Sequence, residues 1–325
     1  MEKLFYRFES FLKRNVSRRT ILKAGLGGLL YLVSNSFLRQ AFAKTNVSSG
    51  RPKKGIKGSY DLVVAEGSDP YRNTVQAVAA MGGMARFVKK DAVVVIKPNI
   101  AWDRTPEQAA NTDPEVVAAL VELSYNAGAK RVNVFDIPCN DDRRCYENSG
   151  IQKAAKGKGA HVYFANHWDV KKARFSYSSA MEDWPILRDA IECDTFINVP
   201  VLKHHRLTGL TLSMKNLMGV CSGVRGAIHM NIGRNLVDLA DFINPELTVI
   251  DATRVLMKHG PSGGDIKDVV QLNKVLVATD PTLADSFACS LVDTDPMTVP
   301  YIENAVSRNI GSADISKANI HTVKS

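Results

Sequence analysis

The sequence predicts an α/β fold built on a three-layer, open, mostly parallel sheet, Rossmann-like in outline. Three observations support this. From Tyr60 onward, short β-rich runs alternate with segments of helical period, the pattern of consecutive βαβ units. The run Ala92-Val93-Val94-Val95-Ile96 is apolar on both faces, as a central parallel strand covered by helices on both sides must be. Polar residues recur just beyond predicted strands, at Lys97 and Asn99, Asp136, Lys203, Asp251 and Asp280, and open α/β sheets bind ligands at the carboxyl ends of their strands.

The elements follow in order. Leu62-Val63-Val64-Ala65 reads as a first strand, residues 73–88 as a helix, and residues 92–96 as the central strand, stopped by Lys97-Pro98-Asn99. Thr112-Asp113-Pro114-Glu115 opens the next helix, with Thr112 as N-cap, Glu115 as capping-box partner and Pro114 in the first turn, where a missing N–H costs nothing. Asn126-Ala127-Gly128 ends it, and residues 131–135 form a strand with Asp136 at its end. A helix around 141–155, a strand at 161–164, a helix over 185–192 and a strand at 195–199 repeat the pattern. Helices over 211–220 and 234–243 precede a strand at 247–250, and 275–278 is a late strand ending in Asp280-Pro281. No strand leads into a Gly-x-Gly-x-x-Gly or Walker loop, so a standard dinucleotide or ATP site has no support.

A formal charge of +9 over 325 residues suggests a nucleic-acid or membrane partner at first sight. Residues 1–43 hold eight basic side chains against two acidic ones, whereas the remainder holds 34 against 31. Nucleic acid is therefore not an expected partner. The basic N-terminus contains Ser17-Arg18-Arg19-Thr20-Ile21-Leu22-Lys23, a weakly apolar stretch from Ala24 to Leu38, and Ala41-Phe42-Ala43 as a small-x-small cleavage signal. It resembles a twin-arginine export signal. That resemblance implies the twin-arginine translocase as a transient partner, a periplasmic or extracytoplasmic location, and cleavage after Ala43. Ser34-Asn35-Ser36 interrupts the apolar run well short of the ~18 to 20 residues of a spanning helix, so no stable membrane span is expected after cleavage. Three segments result: 1–43 as signal peptide, 44–57 as a solvated Ser/Gly/Lys linker, and 58–325 as a single α/β domain.

Chemistry concentrates between Pro200 and Gly219, where a strand delivers Lys203, His204, His205 and Arg206 into a polar turn that opens a helix bearing Lys215 and Asn216. Cations beside helix amides suit a carboxylate or phosphate. The stretch from Lys258 to Gly264 has backbone freedom for close approach at Gly263 and Gly264, and His229 follows a glycine loop.

Val95-Ile96-Lys97-Pro98-Asn99, Thr112-Asp113-Pro114, Ala127-Gly128-Ala129, Asn198-Val199-Pro200-Val201-Leu202-Lys203 with His205, Thr211, Lys215-Asn216 and Gly219, Gly260-Pro261-Ser262-Gly263-Gly264, and Thr279-Asp280-Pro281 with Asp285 stand in order along the chain. Together they resemble the motif set of the domain-of-unknown-function family 362, over roughly residues 60–293. The resemblance implies an α/β domain of unsettled biochemistry, often described as an iron–sulfur-centre type because many members carry a ferredoxin-like segment. It marks Lys97, Asn99, Lys203, His205, Lys215, Asn216 and Asp280 as site positions without assigning their roles. This chain departs from the family's ferredoxin-like feature: it has no Cys-x-x-Cys-x-x-Cys run, hence no ferredoxin-type ligand framework.

Of five cysteines, Cys193 and Cys289 sit in amphipathic segments and read as core. Cys139 and Cys145 flank a polar loop containing Arg143 and Arg144. A small disulfide, metal or cluster ligation, and free thiols are all open for this pair, with the arginines favouring thiolate. His205, His229, Asp251 and Cys221 are possible metal ligands, without any helical His-x-x-x-His spacing. A metal or iron–sulfur cluster is compatible with these residues, and no motif specifies a cofactor.

The leading expectation is an exported enzyme that holds a small anionic ligand on Lys97, Lys203 and Lys215. In it His205 serves as acid or base, Asn99, Asn216, Gly263 and Gly264 orient the ligand, and Asp280 pairs with a lysine or a metal. The alternatives are a redox or metal-handling protein using Cys139, Cys145, His229 and Asp251, and a non-catalytic anion-binding protein.

Overall fold

The computed structural model describes residues 47–175 and 179–325, and Ser48 to Ser325 form one unit. The expected export signal at 1–43 lies outside the described residues. Ten strands form the main sheet: β1 (Leu62–Glu66), β2 (Val93–Pro98), β3 (Arg131–Val134), β4 (His161–Val162), β5 (Thr195–Val199), β6 (Val201–His205), β7 (Gly209–Thr211), β8 (Leu247–Leu256), β9 (Val269–Ala278) and β10 (Ile320–Lys324). Their order is β10-β1-β9-β8-β5-β2-β3-β4, with β6 paired to β8 and β7 to β6. The run from β8 to β4 is parallel, as is β10 on β1, while β9 is antiparallel to both of its neighbours.

Strand alternation sorts side chains into two cores, one on each face. Val63, Ala65, Val94, Ile96, Val275 and Val277 point to one face, and Leu62, Val64, Val95, Leu276 and Ala278 to the other. Helices α1 (Pro70–Ala80), α2 (Pro114–Asn126), α3 (Asp142–Asn148) and α4 (Ile151–Gly157) cover the first face. Helices α5 (Arg188–Glu192), α6 (Ser213–Asn216), α7 (Ile232–Ile243), α8 (Pro281–Ser290) and α9 (Pro300–Ser307) pack into the second core. In α2, Val116, Val117, Leu120 and Val121 repeat at helical spacing and are all buried. The fold is thus α/β with a large, mostly parallel sheet, as the sequence predicts.

Several local expectations are corrected. The α2 cap is Asp113, whose carboxylate accepts from Glu115 N at 2.8 Å. Thr112 instead ties strand ends together, its hydroxyl accepting from Asn99 N (2.8 Å) and donating to Val199 O (2.7 Å). The first helix runs 70–80, not 73–88: Asp69 caps it at Pro70, and it stops short of Gly82-Gly83. Pro185–Leu187 is extended, because it pairs antiparallel with Val170–Ala173, and the helix starts only at Arg188. Pro200 divides what the sequence suggested as one strand and a turn into β5 and β6. The expected solvated linker is fastened at Arg51, which is buried and bonds Glu246 and Cys193 O, each at 2.6 Å.

The chain runs outward from β2 through β3 to β4, then returns to the other side of β2 with β5 and β8. Strand order therefore switches beside β2, where a crevice opens at the carboxyl ends.

Candidate active site

A cleft of about 830 Å³ occupies that position. Asn99 follows β2, Asp136 follows β3, Lys203 and His205 end β6, Thr211 ends β7, and Lys215 and Asn216 come from α6. Arg225, Gly226 and His229 close one side from the loop before α7, and Pro261 another.

The floor is a buried ion pair. Lys97 Nζ lies 2.7 Å from Asp136 Oδ1 and donates to Pro98 O (2.8 Å) and Asn216 Oδ1 (3.1 Å). Burial pushes the Lys97 ammonium down, and Asp136 pulls it back up. Asp136 also accepts from Ile100 N (2.7 Å) and Ile137 N (2.9 Å). Asp136 borders the cleft, whereas Lys97 sits behind it, so Lys97 holds the floor instead of touching a ligand. Gly219 passes directly over the pair: a Cβ there would overlap Asp136 Oδ1 and crowd Lys97 Nζ.

Above the floor, Asn216 joins the strand ends. Its Oδ1 accepts from Asn99 Nδ2 (3.1 Å), and its Nδ2 donates to Lys97 O (3.2 Å) and Asn198 Oδ1 (2.9 Å). Asp285 of α8 fixes the start of α6 by accepting from Ser213 N (2.8 Å) and Met214 N (3.2 Å), and its burial pushes the carboxyl up to about 7.

Two lysines line the cleft without a carboxylate partner among the described residues. Lys203, almost wholly buried, donates to Asn99 Oδ1 (3.3 Å) and Ala110 O, and burial lowers its pKa to about 7, aided by the neighbouring Lys215. Among the described residues Lys215 Nζ has only the Met218 thioether, at 3.4 Å, and burial lowers its pKa to about 8. Arg225 is spent on the backbone, donating to Ile137 O (2.8 Å) and Pro138 O (2.6 Å). Among the described residues the one carboxylate bordering the cleft, Asp136, is committed to Lys97. Basic side chains therefore outweigh uncommitted carboxylates in the cleft lining.

His205 does not fit the expected proton-transfer role. Burial and the two lysines lower its pKa to about 3. Nδ1 accepts from Leu207 N at 3.1 Å, so the neutral ring carries its proton on Nε2 and acts as a hydrogen-bond donor. Of these two groups, Lys203, with its pKa lowered to about 7, is the one that changes charge near neutral pH.

Other expected site residues lie elsewhere. Asp280 caps α8, accepting from Thr282 N (2.8 Å), Leu283 N (3.3 Å) and Ser312 N (2.9 Å), and it is absent from the cleft. Gly263 and Gly264 turn the backbone at φ +52° and +142° and present their carbonyls to Arg104 (3.3 Å) and Gln108 (2.7 Å); from that loop it is Pro261 that reaches the cleft.

The proposed metal or redox residues are dispersed. Asp251 is buried, bonded to Asp113 N (2.7 Å) and to Thr253 N and Oγ1 (2.9 and 2.7 Å), with burial raising its pKa to about 6. Cys139 is exposed at the cleft, while Cys145 is buried on α3 in the opposite core; both are free thiols, not a disulfide. Burial raises the Cys145 thiol to about 11, and the flanking arginines favour no thiolate: Arg143 pairs with Glu147 (3.0 Å) and Arg144 with Asp103 (2.6 Å). His229 shares the cleft lining with His205 and Cys139, but among the described residues no three His, Cys, Asp or Glu side chains gather as a metal site. Trp102 and Arg225 border the cleft without having been singled out by sequence, whereas Asp136 stood among the polar strand-end residues that it marked.

Comparison with known proteins now bears on this site. The model of the domain of unknown function DUF362 matches residues 94–290. The chain belongs to the DUF362 family. That match covers every residue of the floor and both lysines that line the cleft. A DUF362-type relative, the thylakoid-associated protein sll1697 of Synechocystis sp., is 28% identical over 230 residues, covering 68% of this chain and 69% of its own. Among solved structures, the lactate racemase apoprotein of Thermoanaerobacterium thermosaccharolyticum aligns at TM-score 0.44 and 12% identity over 74% of this chain. A protein from Thermotoga maritima aligns at 0.42 and 14% over 70%. The chain spans 58% and 60% of those two structures.

Proposed function

We propose that this DUF362 domain is an enzyme that binds a small anion, a carboxylate or phosphate, in the cleft and moves a proton through Lys203. The observation that carries this reading is the pair Lys203 and Lys215, both buried against the cleft and neither matched by a carboxylate. Burying such cations without a counter-ion costs stability, which an anionic ligand would offset. The neutral His205 supplies an N–H donor, Asn99 and Asn216 fix the geometry, and Lys203 alternates between amine and ammonium near neutral pH. Calorimetric titration with succinate and inorganic phosphate tests this. Lys215→Met is expected to weaken the tighter anion by 10- to 100-fold, as loss of a desolvated charge partner does. Unchanged affinity in both Lys215→Met and Lys203→Met would sink the site.

We propose in addition that the chain is exported folded by the twin-arginine translocase and works outside the cytoplasm. The support is Arg18-Arg19, the weakly apolar stretch after them and Ala41-Phe42-Ala43; among the described residues no helix is long and apolar enough to cross a membrane. Fractionation of cells carrying Arg18→Lys with Arg19→Lys should find the chain retained inside. Equal amounts outside for both forms would refute the route.

A further inference from the structure

The cleft is much larger than its charged groups need. A carboxylate or phosphate fills a small part of about 830 Å³, a volume typical of pockets that bury drug-sized ligands along mostly apolar walls. Those walls are present: Trp102, Ile137, Leu207, Met218 and Pro261 share the lining with the lysines. Exposed apolar residues also stand on the segments that supply the lining. Leu207 is 66% exposed, and the loop that contributes Arg225 and His229 carries Val224 and Met230 at 80% and 89% exposure. Single exposed apolar residues need no explanation, but three of them on two segments that edge one cleft do.

Resting on the anion-site reading above, we propose that the ligand is amphiphilic. A carboxylate or phosphate head sits between Lys203 and Lys215, and an aliphatic or aromatic body follows the apolar wall toward Leu207 and Met230. Charge supports this polarity. The head meets cations, while Asp136 at the cleft border is neutralised by Lys97, and the body meets uncharged side chains at Trp102, Ile137, Leu207 and Met218, with Arg206 the charged neighbour on that side.

The test titrates the full chain with acetate, butanoate, hexanoate and octanoate at pH 7, with Trp fluorescence and calorimetry as readouts. Each methylene withdrawn from water is worth ~0.8 kcal/mol, so affinity should rise by about fourfold per methylene. Leu207→Asn should cut the gain at octanoate by about tenfold. A flat series with phosphate or acetate still bound overturns this inference and leaves the anion site standing. No binding of any anion overturns both. Cosedimentation with anionic vesicles, without binding of soluble octanoate, would overturn it in favour of a membrane surface seated on the same apolar rim.

Discussion

Asp136→Ala should destabilise the domain by about 3 to 5 kcal/mol, the loss expected when one partner of a buried ion pair is removed. Lys97 Nζ would lose the carboxylate at 2.7 Å and keep only neutral oxygens, at Pro98 and Asn216. The amides of Ile100 and Ile137 would lose their acceptor as well, each a further desolvation cost. The double variant Lys97→Met with Asp136→Ala separates these contributions. Methionine fills the lysine's volume without charge, so the double variant should recover stability relative to Asp136→Ala, by the part that reflects the uncompensated ammonium. Urea unfolding with matched slopes gives both numbers. A loss below about 1 kcal/mol in the single variant would mean that water or a backbone shift solvates Lys97, and the floor would not be the rigid base described above.

The legibility of this architecture in the sequence follows from which forces are local. Val93–Ile96, Leu62–Ala65 and Thr195–Val199 announce themselves because burial on both faces demands unbroken apolar runs. β6, β7 and β10 do not: Val201–His205 contains Lys203, His204 and His205, and Ile320–Lys324 alternates without a strong apolar face. They are strands because neighbouring backbones pair with them, β6 with β8 and β10 with β1. The site divides in the same way. Lys203, His205, Lys215, Asn99 and Asn216 reach one cleft because chain topology brings strand ends together, a rule that needs no side-chain detail. Asp280 obeys the same positional rule yet caps a helix, because Asp-Pro before an apolar run is also an N-terminal signal. Protonation states were the least legible part. A histidine's usual pKa near neutrality made His205 the natural proton carrier, and only burial beside two lysines reverses the order of His205 and Lys203.

That reversal leads to the largest effect expected in solution. Anion affinity should fall as pH rises through about 7 to 8, because the protonated lysines attract the ligand and their pKa values lie near 7 for Lys203 and 8 for Lys215. Succinate is the suitable probe, since its carboxylates stay ionised across this range while phosphate titrates within it. At pH 9 Lys203 is charged in only about 1% of molecules, so affinity should be on the order of hundredfold weaker than at pH 6. Lys203→Met should lose most of this dependence, keeping only the shallower contribution of Lys215. Stability should move the other way. The folded-state pKa of Lys203 is depressed below its unfolded value of 10.5, so between pH 7 and about 10 the unfolded chain binds more protons. Unfolding free energy then rises with pH over that window, and below pH 7 the full cost of the charged, buried lysine is present. His205 has no part in the affinity curve above pH 6, since its folded pKa lies near 3, and its part in the stability curve ends about one unit above its unfolded value of 6.5. A pH profile of succinate affinity that bends near 6.5 and survives Lys203→Met but vanishes in His205→Gln would return the proton to histidine. A bend near 7 that vanishes with Lys203 and is matched by rising stability ties the charge of the cleft to a buried lysine.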